Sequence, residues 1–503
     1  MRKDPVVVNI LGKIKELSKI RKTNVFLVGG FIRDMLLDNN SFDVDLAVEK
    51  DCEGFSRALS KRLSAKHFLL DSDTQTYRIT YKIKGKNQIW NIDLCKMYGK
   101  NIISDLGRRD FTIDAIAMNV EKLTSGQVDK WTSRQGNKGT SRQVDKLTSK
   151  QVNKLIRENL VDPFNGVADL KKKTIKMVSK ECFKEDPLRC LRAFRLSAST
   201  GFKIDPKTFK EISKNAPLIK KVSRERVREE MFKILEAKNS TEYLEKLYVC
   251  GLLKNIFVQT KFLEQEKGLW KHSVLTVKFV EYLLDDKNLK NIWVPSLAKQ
   301  AIKEVTAQPY GAALLKFLCL FHDIGKPFTK KKKKNKLTFI AHESVGSNIL
   351  EEIAINLRLS NKQTKFLKLL AKNHMRGHYL VNLKVITKRA EARFIRDIDE
   401  NVPMLLLFTV ADFLATAKEL KRLSFSQNKQ ATKKLLNAYF KFKNIKEYIK
   451  LVNGHDIIKE FKMQQGPAIG RILGELDLAQ REGKIKTREQ AMELASKIVK
   501  RSK

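Results

Sequence analysis

The sequence predicts an α/β domain at the N-terminus, followed by a chain that is helical almost throughout. Two observations support this division. In the first part, short apolar runs with alternating polarity are typical of strands, whereas from residue 184 onward apolar residues recur with helical spacing. A length of 503 residues also allows several domains at ~150 residues each. The first predicted strand, residues 24–28, ends in Gly29 and Gly30, which is the pattern of a buried strand turning into a helix.

Residues 42–48 predict a second strand with two different faces. Their strict alternation puts apolar side chains on one face and Asp43 and Asp45 together on the other. Two neighbouring carboxylates repel each other unless a cation lies between them, and oxygen ligands of this kind suit Mg²⁺. Gly29 and Gly30 would also let the backbone approach a phosphate closely. These residues therefore predict a magnesium-dependent nucleotide site.

Two later segments of the same domain also carry charge. Asp93 closes a predicted strand, where it is either a third carboxylate for the metals or an ordinary polar strand end. Arg108, Arg109 and Asp110 precede an apolar segment. Such charge density at the start of a buried element is costly without a ligand or an ion pair, and a triphosphate and a ribose would supply partners.

Residues 123–156 contain a tandem repeat. Its four eight-residue units begin at Thr124, Thr132, Thr140 and Thr148. A period of eight fits neither a strand nor a helix, and it is shorter than the repeats of solenoid proteins. We interpret the segment as an expansion in a surface loop that is largely disordered and inert.

A helix is predicted from Pro187, with Asp186 before it as the N-cap. Arg189, Arg192 and Arg195 follow at intervals of three residues, opposite an apolar stripe. These arginines are either a solvated helix face or, together with Asp186, a set of donors and acceptors for the edge of a base.

The composition points to a polyanionic partner. Lys and Arg number 100 against 56 Asp and Glu, which gives a net charge of +44. Nucleic acid is the first candidate, since its affinity for proteins rests largely on phosphate neutralisation. A lysine-rich genome composition explains part of this excess.

The sequence also bears on the compartment. The six cysteines are scattered without CxxC spacing, which argues against a zinc ribbon or a disulfide framework and fits a reducing compartment. No apolar h-region follows the first residues, and the best apolar run, residues 404–411, is short and is followed by Asp412. We therefore expect a cytoplasmic protein without a membrane partner.

A second candidate site lies in the helical part. It consists of His272, His322, Asp323, His342, His374 and Asp412. Clusters of His and Asp suit borderline divalent metals. A lone histidine on a helix is usually a satisfied core residue, but the contiguous pair His322-Asp323 in an apolar helix is harder to explain in that way. The nearby run Lys330–Lys334 is interpreted as a solvated loop, with RNA contact as the alternative.

Five ordered motifs resemble the bacterial class II tRNA nucleotidyltransferase and poly(A) polymerase family, whose members add CCA, or part of it, to tRNA 3′ ends without a template. The motifs are residues 27–34 with Asp43-Val-Asp45, 108–114, 162–166, 185–189 and 223–227. Residues 453–461 and 466–473 look like the C-terminal tRNA-contacting region of the family. The His/Asp series is similar to the HD phosphohydrolase superfamily.

The resemblance implies an α/β nucleotidyltransferase (palm-like) head, a largely all-α neck, an HD-type helical domain and a helical C-terminal tRNA-binding tail. The corresponding residues are 1–170, 171–260, 265–420 and 421–503. Its implied partners are ATP, CTP and the 3′ end and acceptor arm of tRNA. The oligomeric state is left open.

The resemblance also implies roles for individual residues. Asp43 and Asp45 would hold two Mg²⁺ ions at the tRNA 3′-hydroxyl and the triphosphate, with Asp93 as the third candidate carboxylate. The implied nucleotide ligands are Gly29, Gly30, Arg33, Arg109, Asp110, Asp186, Arg189 and Arg192. Among them, Asp186 and Arg189 would pair with the base edge in place of a template.

In the HD domain, the resemblance implies His272, His322, Asp323 and Asp412 as ligands of Ni, Mn, Co, Fe or Mg. His342 and His374 would complete or flank that site. Metal-activated water attacking a phosphoester would be the corresponding chemistry.

Two departures from the family pattern bear on specificity. Asp114 stands where the family often has Asn, and we expect it behind the site. Only residues 94–104 separate Asp93 from Asp105, which is shorter than the flexible loop of members that add the full CCA. The nucleotides that are added therefore stay open: they could be CCA, CC only, A only or poly(A). Two further alternatives are an HD-type phosphohydrolase acting on 2′,3′-cyclic or terminal phosphates and a tRNA-binding module with decayed sites.

Overall fold

The computed structural model describes residues 5–37, 39, 41–82, 88–122, 159–333, 336–419, 426–443 and 450–502. The octad repeat at 123–156 lies outside these residues. The chain divides into two compact units, Met1–Val222 and Ser223–Lys503. The four-domain division expected from the sequence stays a prediction.

The first unit is built on a seven-stranded mixed sheet. Its strands are β1 (Val25–Val28), β2 (Asp43–Val48), β3 (Lys66–Asp71), β4 (Thr76–Lys82), β5 (Ile89–Lys96), β6 (Ala117–Asn119) and β7 (Leu160–Val161). Their order is β3-β4-β5-β2-β1-β6-β7, and all neighbours are antiparallel except β2 and β5, which are parallel. The predicted α/β domain is confirmed, including a strand β1 that leads directly into a helix at Gly29.

Helices cover this sheet and continue beyond it. They are α1 (Pro5–Arg21), α2 (Gly29–Leu36), α3 (Cys52–Leu63), α4 (Ile102–Gly107), α5 (Gly166–Lys171), α6 (Cys182–Glu185), α7 (Arg189–Thr200) and α8 (Pro206–Asn215). Short 3₁₀ helices span Thr112–Asp114, Val120–Lys122 and Ala216–Lys221, and β8 (Thr174–Ile175) pairs in parallel with β9 (Lys203–Ile204).

The two faces of β2 differ as the alternation predicted. Val44, Leu46 and Val48 are fully buried, whereas Asp43 is exposed and Asp45 partly buried. Phe42 departs from this pattern. It is 44% exposed because it precedes the strand, and its ring packs edge-on against Trp90.

The described residues of the second unit are helical apart from one hairpin and short connecting segments. Its helices are α9 (Arg224–Glu236), α10 (Ser240–Val249), α11 (Leu252–Ile256), α12 (Thr260–Gln265), α13 (Leu269–Leu283), α14 (Asp286–Leu289), α15 (Pro295–Ala307), α16 (Gly311–Phe321), α17 (Lys326–Thr329), α18 (His342–Asn356), α19 (Asn361–Val381), α20 (Lys388–Ile398), α21 (Val402–Glu419), α22 (Ser426–Lys443), α23 (Gly454–Phe461), α24 (Pro467–Arg481) and α25 (Arg488–Ser502). A 3₁₀ turn, Asp399–Asn401, joins α20 to α21.

The lysine run after the His-Asp pair is a strand where a solvated loop was expected. Strand β10 (Lys330–Lys333) pairs antiparallel with β11 (Lys336–Phe339), so the loop prediction was wrong for these residues. No apolar alternation marks the lysine strand, because its partner strand carries the apolar side chains Leu337 and Phe339.

Helix α16 lies at the centre of the second unit. It is buried along most of its length and packs against α9, α13, α15, α19 and α21. A separate apolar cluster, which includes Ile457, Ile469 and Ile472, joins α23, α24 and α25 at the C-terminal end.

Among the described residues, one segment is long and apolar enough to span a membrane by length and composition. It is Lys388–Lys418, with a mean hydropathy of 1.3, and 67% of its apolar window is buried inside the protein. Such burial is typical of a core helix, and the 3₁₀ turn interrupts the segment.

Candidate functional site

Three carboxylates lie side by side on one face of the sheet. Strand pairing aligns Asp45 on β2 with Asp93 on β5, and Asp43 lies two residues before Asp45. Asp93 lies inside β5, where the sequence suggested a strand end. The parallel pairing of β2 with β5 thus brings together side chains that are far apart in sequence.

Two of these carboxylates already have polar partners on neighbouring strands. Asn91 Nδ2 donates to Asp43 Oδ1 at 3.0 Å. Arg78 on β4 forms a bidentate ion pair with Asp93, in which Nε donates to Oδ1 at 2.7 Å and Nη2 donates to Oδ2 at 2.6 Å. Arg78, the register partner of Asp93, was not predicted from the sequence.

Asp45 carries negative charge that is only partly compensated. Burial raises the pKa of its carboxyl to about 6, Arg109 opposes this shift, and Asp93 adds to it. A divalent cation would relieve both the burial cost and the repulsion between carboxylates. The oxygen-only donor set fits Mg²⁺.

The paired glycines lie directly against Asp45. Gly29 begins α2 with φ +66°, a conformation that favours glycine. A Cβ at Gly29 would lie 3.2 Å from Asp45 Oδ2 and 3.1 Å from Arg109 Nη1, and one at Gly30 would lie 3.6 Å from Asp45 Oδ2. Side chains here would therefore fill the space beside Asp45.

Arg33 is held in place by two carboxylates. Its Nη1 donates to Asp114 Oδ1 at 2.7 Å, while Nε and Nη2 donate to Asp34 at 3.0 and 3.1 Å. Burial alone would lower the pKa of Arg33, but Asp114 and Asp34 raise it. Asp114 thus lies behind Arg33, as the sequence led us to expect.

The arginine pair has an internal partner. Asp105 on α4 is fully buried and accepts from Arg108 Nη2 at 3.2 Å, from Arg109 Nη2 at 3.1 Å and from the Tyr98 backbone N–H at 3.0 Å. Of the two kinds of partner that the sequence left open, a ligand or an ion pair, the structure shows an ion pair with Asp105. Arg109 Nε nevertheless stays buried with no hydrogen-bond partner among the described residues.

Helix α7 begins two residues later than predicted. It starts at Arg189, and Leu188 before it makes no side-chain capping hydrogen bond, whereas Asp186 makes the hydrogen bond expected of an N-cap one turn earlier. Residues 186–188 instead form a turn in which Asp186 Oδ1 accepts from the Leu188 N–H at 3.1 Å and the Asp186 carbonyl accepts from the Arg189 N–H at 3.0 Å.

The arginines of α7 contact different carboxylates. Arg189 Nη1 donates to Glu185 Oε2 and to the Cys182 carbonyl, each at 3.2 Å. Arg192 Nε donates to Asp110 Oδ2 at 2.6 Å. Burial would raise the pKa of Asp110, but Arg192 and Arg189 lower it.

The second unit gathers the predicted His/Asp series around Asp323. His272 comes from α13, His342 and His374 from α18 and α19, Asp412 from α21, and His322-Asp323 follow α16. Two groups could hold metal ions, with their donor atoms within 4.8 Å of one another, and both include Asp323. These groups are His272, His322 and Asp323, and Asp323, His342 and His374.

The ring orientations suit metal ligation. The Nδ1 atoms of His322, His342 and His374 lie 2.8, 2.7 and 2.6 Å from the carbonyls of Cys319, Phe339 and Ala371. A carbonyl only accepts, so each Nδ1 carries the hydrogen and each neutral ring turns an Nε2 lone pair inward. His322 Nε2 is buried without a hydrogen bond in the described part of the chain, and the Nε2 atoms of His342 and His374 lie only 3.1 Å apart.

One histidine of this site was missed from the sequence. His378 Nε2 lies 2.7 Å from Asp412 Oδ2, while His272 Nε2 lies 2.8 Å from Asp412 Oδ1. Burial would raise the pKa of Asp412, but the neighbouring histidines hold it well below its usual range. The spacing of four residues from His374, on one helix face, was the available signal.

The His/Asp cluster opens to a cavity of about 830 Å³. Lys267, Lys271 and Lys326 are among its lining residues, and Lys326 also contacts Asp323. A cationic wall next to a metal-type donor set fits a phosphorylated ligand.

Four family models match successive parts of the chain. They are described as poly A polymerase head domain (residues 25–132), probable RNA and SrmB-binding site of polymerase A (201–263), HD domain (269–401) and tRNA nucleotidyltransferase domain 2 (353–495).

Curated relatives carry related names. The chain is 30% identical to a CC-adding tRNA nucleotidyltransferase of Geobacter sulfurreducens, over 48% of each protein. That match spans about half of the relative. It is 26% identical to an A-adding tRNA nucleotidyltransferase of Deinococcus radiodurans over 92% of this chain and 93% of the relative. A CC-adding enzyme of Thermus thermophilus is 24% identical over 93% and 92%.

Solved structures share the fold. A CCA-adding enzyme in complex with ATP superposes with a TM-score of 0.60 at 20% identity, covering 97% of this chain and 93% of the other. The Thermotoga maritima CCA-adding enzyme complexed with tRNA gives 0.57 at 19% identity, covering 99% and 96%. The fold class and family predicted from the sequence are thereby confirmed. Successive parts of the chain are thus similar to a poly A polymerase head domain, an HD domain and a tRNA nucleotidyltransferase domain 2, and the chain is similar to tRNA nucleotidyltransferases over more than nine-tenths of its length.

Proposed function

We propose that this nucleotidyltransferase transfers CMP, AMP or both from CTP and ATP to the 3′ end of tRNA without a template. The observation that carries the proposal is the row formed by Asp43, Asp45 and Asp93, with Gly29 and Gly30 leaving space against Asp45. The names of the relatives, which cover CC-, A- and CCA-adding enzymes, give the same reaction class and leave the nucleotide open.

The acidic row is the proposed metal site. Nucleotidyltransferase and HD domains imply dependence on divalent metal. We assign Mg²⁺ to Asp43 and Asp45, where bound ions supply charge stabilisation for attack and for departure of pyrophosphate. The glycine turn of α2 leaves room for a triphosphate beside these carboxylates.

The arginines are the proposed nucleotide ligands. Arg109 has a buried, unused Nε–H and lies against Gly29, so it is placed to donate to a phosphate. Arg33 lies on the adjoining helical turn. Arg192 orients Asp110 from α7.

Base selection is assigned to Asp186 and Arg189, which lie on the turn into α7. Arg189 holds Glu185 in this structure, so reading a base edge requires it to exchange that partner. Asp186 Oδ1 accepts from the Leu188 N–H, and the carboxylate is the group of this turn that can accept from a base edge.

We infer that tRNA is the partner from the net charge of the chain and from its C-terminal helices. A net charge of +44 favours a polyanion. Helix α23 begins at Gly454 with an Asn453–Asp456 capping box, in the region that resembles the tRNA-contacting part of the family. We propose that this region binds the tRNA and presents its acceptor arm.

The test is a substrate panel. Transcripts of tRNA lacking CCA, or ending in C or CC, are incubated with CTP, ATP and Mg²⁺. We expect incorporation on at least one of them, and the pattern separates CCA, CC-only, A-only and poly(A) addition. Asp43→Ala with Asp45→Ala should abolish incorporation while tRNA binding persists, and the exposed Asp73→Asn is the matched control. Absence of incorporation on every transcript would refute the proposal.

A second candidate function is metal-dependent phosphoester hydrolysis at the HD site, on 2′,3′-cyclic or terminal phosphates. The observation that favours it is the inward orientation of three Nε2 lone pairs toward Asp323. We assign His272, His322, Asp323 and Asp412 to a divalent metal, with His342 and His374 beside it. His322→Ala should lose bound metal, measured by elemental analysis, and hydrolysis that persists unchanged in this variant would exclude the site.

A further inference from the structure

We propose that Arg78 competes with a divalent cation for Asp93, so that, of the three carboxylates in the acidic row, the ligand-free protein offers Asp43 and Asp45 to a metal ion. Asp93 joins them when a phosphate group draws the guanidinium away. This inference rests on the proposed function only in assigning metal binding to β2.

The geometry of the pair is the first argument. Arg78, Asp93 and Asp45 lie on three adjacent strands in one cross-strand row, since Arg78 pairs with Asp93 and Asp93 with Asp45. Both oxygens of Asp93 accept from Arg78, at 2.6 and 2.7 Å. The guanidinium therefore occupies the carboxylate edge that a metal ion would need.

Charge is the second argument. The hydrogen bonds of Asp93 raise the pKa of Arg78 most, and the charges of Asp43 and Asp45 raise it further. The guanidinium thus lies in the field of all three carboxylates and acts there as a resident cation. A divalent ion at Asp93 would meet a like charge next to it, and this lowers its affinity.

The chemistry of arginine identifies what releases the pair. A guanidinium binds carboxylate and phosphate oxygens in the same bidentate geometry. Arg78 is 32% exposed and Asp93 21% exposed, so a phosphate can reach the pair from solvent. The phosphate chain of the incoming nucleotide is the ligand class that fits. Metal binding at Asp93 is then coupled to nucleotide binding. In the free protein, Arg78 neutralises the charge of Asp93.

A purely structural pair makes a different prediction. Opposite charges on facing strands contribute to sheet stability in many proteins. If Arg78 served only that role, its removal would change stability and leave metal affinity alone. Metal binding is therefore the readout that separates the two roles.

The experiment titrates the full chain with Mn²⁺ and follows free Mn²⁺ by electron paramagnetic resonance. Variants at the HD ligand His322 are used as background, so that the second unit does not contribute. We expect Arg78→Gln to bind Mn²⁺ about tenfold tighter or to take up an additional ion. Asp93→Asn alone should change affinity less than about twofold, and in the Arg78→Gln background it should remove the gain.

Inorganic triphosphate supplies the second arm of the test. Its addition should raise the amount of Mn²⁺ bound by the wild-type chain, after subtraction of the Mn²⁺ that triphosphate binds without protein. This gain should vanish in Asp93→Asn. Arg57→Gln, which removes an exposed arginine paired with Glu53 on α3, is the charge-matched control. Arg78→Lys keeps the charge without the bidentate grip and should give an intermediate affinity.

Two results would overturn the inference. One is an Arg78→Gln protein that is folded by circular dichroism and has wild-type Mn²⁺ affinity. The other is an Asp93→Asn protein that loses as much affinity as Asp43→Asn, because Asp93 would then already be a ligand. Neither measurement involves tRNA, so failure of the tRNA panel with these results intact would refute only the proposed function.

Discussion

Asp105→Asn tests whether the buried carboxylate of Asp105 stabilises the neighbouring Arg108 and Arg109. Asp105 is fully buried and its two oxygens accept from Arg108, Arg109 and the Tyr98 N–H. Asparagine has the same shape, and its carbonyl oxygen can keep the Tyr98 bond. Its amide nitrogen, however, turns a donor toward Arg109 and the negative charge is lost.

The size of the effect follows from the exposure of each partner. Arg109 is 19% exposed and Arg108 is 32% exposed, so water relieves the loss more at Arg108. Removing one partner of a buried ion pair costs about 3–5 kcal/mol, and a charged hydrogen bond accounts for about 1.5–3 kcal/mol of that. Because the Asn carbonyl oxygen can replace Oδ1 and keep the bonds from Arg108 and the Tyr98 N–H, the loss falls mainly on Arg109. We therefore expect Asp105→Asn to lower the opening free energy of this region by about 3 kcal/mol.

Amide hydrogen exchange is the assay, since it reports local opening in a chain with two units. Peptides within residues 88–122 should exchange faster by two orders of magnitude, which corresponds to about 3 kcal/mol. Peptides of the second unit serve as the internal reference. The exposed Asp73→Asn is the matched control. A change in opening free energy below about 1 kcal/mol would refute the view that Asp105 stabilises Arg108 and Arg109.

Three further predictions follow from named contacts. Gly29→Ala places a Cβ 3.2 Å from Asp45 Oδ2 at φ +66° and should lower nucleotide incorporation at least about tenfold, whereas Gly12→Ala, with no atom within 4 Å, should be neutral. Arg192→Ala should destabilise the chain at neutral pH, because Arg192 lowers the pKa of Asp110 in the folded protein. A lowered carboxyl pKa stabilises the folded protein at pH values above the pKa of the unfolded chain, and this stabilisation is lost as the pH falls. The difference in unfolding free energy between the variant and the wild type, measured by denaturant titration, should therefore shrink below about pH 4. Gly377→Ala places a Cβ 2.3 Å from Thr409 Oγ1 and should push α19 from α21, so metal content by elemental analysis should fall, while Gly470→Ala, with open space around it, should not change it.

Periodicity predicted the local part of the first site well. The alternation in residues 42–48 fixes which side of β2 carries the carboxylates, because each side chain's face depends only on its neighbours in the chain. The glycine turn was predictable for the same reason. The start of α7 was misplaced by two residues, since Asp186 and Pro187 satisfy the N-cap pattern and also a turn.

Long-range partners could not be read from the sequence. Arg78 meets Asp93 only through the register of β4 and β5, and Asp93 meets Asp45 only because β5 lies beside β2. Strand order and register depend on packing of the whole sheet, and a single sequence does not specify them. Asp105, by contrast, is a local partner of Arg108 and Arg109 that was missed, because its spacings of three and four residues from them were an available signal.

The internal ion pairs explain how an arginine-rich site can exist before a nucleotide arrives. In the described part of the first unit, Arg33, Arg78 and Arg109 are each held by a carboxylate, so none depends on a ligand to offset its burial. A guanidinium has five N–H donors, and the carboxylates of Asp34 and Asp114 take three from Arg33. The remaining donors keep a fixed direction, which lowers the entropy cost of binding a phosphate. The carboxylates around this site therefore orient the arginines, and Asp45, whose pKa is raised to about 6 by burial and by the charge of Asp93, marks where added positive charge is needed.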